Sequence, residues 1–191
     1  MGRDIRRRKP VDRSARPSFR ITRSRTDPPF LTEVGFPDEE SQGILWVDER
    51  LTTGMRPFPE SEFFDDVKCP PDCRDYLLLG ELEAAVVGAV GIDGASGTVY
   101  LVSEIDETTP VVLNSKIANL AHFLYVFSHF EPIYDVNNYP KNAPTDYLGH
   151  LLVDVADFMR KKLVKADPIA FESPENIWDS RLGEVSTGAW P

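Results

Sequence analysis

Apolar positions change their period along this chain, and the changes mark its elements. Tyr76-Leu-Leu-Leu-Gly80 is a short apolar run ending in glycine. It is followed by Val86 to Ile92, a turn at Asp93-Gly94-Ala95-Ser96-Gly97, and a second β-rich run from Thr98 to Ser103. Runs of this length bounded by turn residues predict strands at about 76–79, 86–92, 98–103 and 110–113, with a hairpin at 93–97. Ile44 to Val47 is the clearest strand upstream. From Asn114 or Ser115 the spacing becomes helical: Ile117, Leu120, Ala121, Leu124 and Phe127 share one face of a helix reaching about Phe130, with Asn114 as its cap. A second helix is expected from an N-cap at Thr145 to about Lys165, with Leu148, Leu151, Leu152, Val155, Met159 and Leu163 as its stripe. Its last two turns carry Arg160, Lys161, Lys162 and Lys165, where cations suit the helix dipole. A third helix is expected from Ser173-Pro174-Glu175 to Gly188, with Trp178 pointing inward. Near the start, Asp27 to Gly35 reads as a short capped helix, and Phe63-Phe64 as a core anchor in an otherwise turn-rich stretch from 36 to 75. The fold class expected is α+β: one mostly antiparallel sheet packed against helices, the longer ones C-terminal.

Charge divides the chain in two. Residues 1–27 hold ten Arg or Lys against three acids, whereas the remainder holds 11 basic and 28 acidic residues. Residues 1–26 read as a disordered basic arm and 27–191 as a single domain. The arm could be a nucleic-acid tail, a segment docking on the acidic body, or a dispensable extension. Nothing aromatic alternates with its charges, so any nucleic-acid affinity would be non-specific. No apolar run approaches the ~20 residues of a membrane span, and no apolar core follows the arginines as in a secretory signal. A cytoplasmic protein without membrane contact is the expectation.

Residues able to do covalent chemistry are sparse. The chain lacks a G-x-S-x-G elbow, a phosphate loop and the deaminase H-x-E with P-C-x-x-C. Cys69 and Cys73 stand in C-P-P-D-C, and the three histidines (His122, His129, His150) do not complete a zinc set. The reading is free thiols or a reversible disulfide, with no catalytic residue, metal or cofactor. Trp46 could be core or interface, and Trp190 is expected to be exposed. Acid pairs such as Asp154 with Asp157 suit a solvated surface. The block from 33 to 66 is denser, with ten acids against Arg50 and Arg56. Within it Asp38, Glu39, Glu40, Asp48, Glu49, Glu60, Glu62, Asp65 and Asp66 are the candidate contact residues for a basic protein partner.

Four pieces together resemble the SUKH superfamily, most closely its fourth immunity family. Phe30 to Pro37 is similar to an opening L-x-x-x-G-L-P element, with Phe36 at the leucine. Tyr76 to Gly80 is similar to the first sheet motif, and Gly91 to Leu101 to the I-x-x-D-x-x-T-G-x-V hairpin, with Ser96 for threonine. Val112 to Leu120 resembles V-N-S-S-L-x-x-F, although Leu113 intervenes and Leu120 replaces the phenylalanine. Ala166 to Phe171 and Trp178 extend the likeness, which spans about 28–188. The resemblance implies a non-enzymatic immunity protein that binds and neutralises a cognate polymorphic toxin, often a nuclease or nucleic-acid deaminase, in the cytoplasm. The alternatives are a SUKH-type regulatory or scaffold protein with a different cytosolic partner, and a hydrolase using paired carboxylates.

Overall fold

The structure is a computed structural model that describes residues 44–189, apart from 53, 66, 84–86, 104–108 and 175. The expected helix at 27–35, the basic arm and Trp190 lie outside the described residues. Five strands form one antiparallel sheet in sequence order: β1 (Leu45–Val47), β2 (Tyr76–Glu83), β3 (Val87–Asp93), β4 (Val99–Ser103) and β5 (Val111–Asn114). Three helices follow: α1 (Ile117–Tyr134), α2 (Thr145–Ala166) and α3 (Ile177–Thr187). The chain is therefore α+β, with its helices C-terminal as expected.

The sheet is covered on both sides, which is why β3 reads as an unbroken apolar run rather than an alternation. Leu79, Leu82, Val90, Ile92, Val99 and Leu101 face the helices and join a core with Leu120, Phe123, Phe127, Met159 and Trp178. Leu78, Ala89 and Val102 face the other way, onto Phe58 and Cys73. That second cover is the segment 55–75, coiled into short 3₁₀ turns at Phe58–Glu60, Glu62–Asp65 and Pro71–Cys73. The fully buried Phe58 anchors it. Phe63 and Phe64, expected as the anchor, pack only partly buried around it, with the Phe58 and Phe64 rings 5.0 Å apart. Gly91 makes room for Phe58, since a methyl at position 91 would stand 2.6 Å from its ring.

The β2 strand does not stop at Gly80. It continues through a bulge between Leu78 and Gly80 to Glu83. Glycine is required there because a Cβ would collide with the Trp46 carbonyl of β1. The hairpin turn forms where expected. Asp93 accepts hydrogen bonds from the backbone N–H of Ala95 (2.9 Å) and the hydroxyl of Ser96 (2.6 Å), which hold its carboxyl below the usual range.

Four helix ends differ from expectation. Asn114 is the buried last residue of β5 rather than a cap, and α1 starts behind Lys116 with no side-chain cap. The Asn114 amide donates to Asp167 (3.1 Å), as does the Ser115 N–H (2.8 Å), so both serve a tertiary link. The α1 helix runs past Phe130 and through Pro132 to Tyr134, whose buried hydroxyl donates to the Phe127 carbonyl at 3.0 Å. The caps of the other two helices are Pro144 and Asn176, and Gly188 closes α3 with φ 68°. Trp178 is buried as expected. Its indole N–H donates to the Leu113 carbonyl (3.0 Å), and its ring meets Phe123 and Phe127.

A Gly80→Ala substitution is expected to destabilise the fold by at least about 1–3 kcal/mol, because the collision is with backbone and cannot be relieved by a rotamer change. Urea unfolding checks this. A midpoint equal to wild type would contradict the close β1–β2 approach.

Candidate acidic interface

The cover over the second sheet face brings part of the predicted block together. Glu60, Glu62 and Asp65 lie exposed on consecutive 3₁₀ turns, and Asp72 and Asp75 are exposed further along the same segment. None of these five carboxylates takes part in an ion pair among the described residues. Phe58 and Cys73 turn inward between them, so the burial of the apolar positions forces the acids outward.

Asp48 behaves differently. Its carboxylate is almost fully buried against Arg56, which binds it through Nε (2.9 Å) and Nη2. Arg56 also donates through Nη1 to the Glu60 carbonyl at 3.0 Å, stitching β1 to the cover. Asp48 is thus part of the frame that holds the acidic turns. Glu49 falls in a short 3₁₀ turn at Glu49–Thr52, and the placement of its side chain is not described. Asp38, Glu39, Glu40 and Asp66 lie outside the described residues.

Two features of this face go beyond the sequence-derived set. Trp46 is 51% exposed at the edge of the sheet, opposite Glu81 of β2. Glu81 accepts a 2.6 Å hydrogen bond from the Ser61 hydroxyl. Together with Glu62 and the Asp48–Arg56 pair they line a shallow cleft of about 230 Å³. Ending β2 at Gly80 hides Glu81 in a turn. The signal that finds it is the renewed polar–apolar alternation of Glu81, Leu82 and Glu83. Trp46 is harder to place from sequence, since its exposure depends on where the cover stops.

A larger groove of about 970 Å³ runs along β5, lined by Pro110, Val111, Ile169, Ile177 and others. Among the described residues its lining carries hydroxyls and carboxylates but neither histidine nor cysteine. One of those carboxylates, Asp179, is held by Arg160 (2.8 Å) and Asn176, and its pKa is lowered chiefly by the Arg160 hydrogen bond. His122, His129 and His150 are all exposed on helices, and no group of three or more metal-binding side chains converges among the described residues. No helix among the described residues is long and apolar enough to cross a membrane. Cys69 and Cys73 are free thiols. Burial, with the nearby Cys69 and Asp72, pushes the Cys73 thiol up to about 11, and burial also raises Cys69.

A family model described as SUKH-4 immunity protein matches residues 19–184. No curated protein and no solved structure matches the chain.

With its thiolate suppressed and its side chain buried, Cys73 is expected to react with a disulfide reagent at pH 8 at least about 100-fold more slowly than a free thiol. Cys69 is expected to react first. Immediate modification of both thiols in the native protein would contradict the buried placement of Cys73.

Proposed function

We propose that this chain, which belongs to the SUKH-4 immunity protein family, neutralises a cognate toxin domain in the cytoplasm by covering its functional surface, without breaking or making a bond. The observation that carries this reading is the row of carboxylates Glu60, Glu62, Asp65, Asp72 and Asp75, unpaired among the described residues, on a cover pinned by buried Phe58. Asp38, Glu39, Glu40, Glu49 and Asp66 extend the same acidic block in sequence, and Asp48 supports it by fixing Arg56. A face of this sign suits a toxin built to hold phosphates, such as a nuclease or a nucleic-acid deaminase, because a groove that attracts nucleic acid also attracts fixed carboxylates. Orientation of the acids before contact reduces the ordering that association must accomplish. An acidic face of this kind repels nucleic acid itself.

Co-expression with any toxin gene found beside this chain's gene tests the reading directly, with survival expected. The triple variant Glu60→Gln, Glu62→Gln, Asp65→Asn is expected to slow association with the purified toxin domain about tenfold at low ionic strength. The difference should shrink at high salt as screening removes the steering term. A variant that associates as fast as wild type at low salt would refute the acidic face as the contact surface.

A further inference from the structure

On the opposite side of the molecule, the outer face of α2 carries two exposed aromatic side chains, Tyr147 (63%) and Phe158 (48%). Tyr147, Leu151, Asp154, Phe158, Lys161 and Lys165 follow one another at spacings of four and three, the period by which a helix presents a continuous seam to another helix. Phe158 is held in place on this seam. Its ring lies edge-on to Phe130 of α1 at 5.5 Å, and the Lys162 ammonium sits 5.0 Å from its centre. Phe130 in turn touches His129, and His129 stacks on Tyr125, itself 56% exposed, so connected rings cross from α1 to α2.

Charge is segregated along the same helix. The half from Thr145 to Asp157 contains Asp146, Asp154 and Asp157 and no lysine or arginine; the half from Phe158 to Ala166 contains Arg160, Lys161, Lys162 and Lys165 and no acid. Arg160 is engaged by Asp179, but Asp154 and Lys161 point to solvent.

We propose that this face binds a second copy of the chain, with the two α2 helices antiparallel about a two-fold axis near Asp157 and Phe158. That arrangement sets Asp154 of one copy against Lys161 of the other, and the reverse, while the two Phe158 rings meet at the axis. Parallel pairing would oppose like charges, so the charge order of α2 selects the antiparallel form. An isologous contact of this kind is closed and stops at two copies. It also leaves the acidic cover, on the far face of each sheet, directed outward.

Sedimentation equilibrium of the full chain at low ionic strength tests the proposal, and a dimer is expected. Phe158→Asp should weaken it at least about 30-fold, as loss of a central aromatic anchor does. Asp154→Lys and Lys161→Asp should each weaken it, and the two combined in one chain should restore it, because each residue then meets its new complement in the other copy. Circular dichroism of each variant separates a lost contact from a lost fold. A wild-type chain that stays monomeric, a Phe158→Asp dimer as tight as wild type, or a charge swap that fails to restore association would overturn it. So would a monomer in which Phe158→Asp abolishes toxin binding, since the seam would then belong to the toxin.

Discussion

The whole architecture depends on the tie between the last strand and the C-terminal helices. Trp178 of α3 donates its indole N–H to the Leu113 carbonyl, and Asp167 accepts from Asn114 and Ser115. These bonds satisfy backbone and side-chain groups at what would otherwise be an open sheet edge. They also fix the helical layer against one face of the sheet, because Trp178 is packed between Phe123 and Phe127 of α1. Removal of a buried tryptophan of this kind typically costs about 3–5 kcal/mol.

Once the helices occupy one face, the other face has to be covered by something else. Leu78, Ala89 and Val102 would be left in water, and the only described segment over them is 55–75. This segment is interrupted by Pro57, Pro59, Pro70 and Pro71, which break a continuous helix. It therefore coils in 3₁₀ turns, which place Phe58 and Cys73 inward and alternate them with outward acids. The same steric demand that completes the core sets the row of carboxylates in a fixed order. The Asp48–Arg56 pair reinforces this by joining β1 to the first of those turns. The acidic face thus has its physical origin in a sheet with two covered sides.

Much of this was legible in the sequence, and the exceptions have specific causes. Every described strand and α-helix is signalled by an apolar run, an apolar period or its flanking turn residues, because each element buries one face or both. Local signals failed where a tertiary contact overrode them. Asn114 stands where a cap should, yet Asp167, more than fifty residues away, takes its amide into the core. Gly80 looks like a strand end, but its missing side chain admits the Trp46 carbonyl of a neighbouring strand. Phe58 is flanked by two prolines and less conspicuous than the Phe63-Phe64 pair, which packs only partly buried around it. For the candidate interface, composition revealed the acids but not their division of labour: only geometry separates Asp48, consumed by Arg56, from Glu60, Glu62 and Asp65. Glu81 and Trp46 required the register of β1 on β2.

The acidic cover is the surface that we propose a toxin meets. Hydrogen–deuterium exchange of the chain, free and bound to its toxin domain, examines that claim most directly. Protection is predicted across the turns from Phe58 to Cys73 and along β1, with α2 unchanged. Protection confined to the helices, with the turns exchanging as fast as in the free protein, would contradict it.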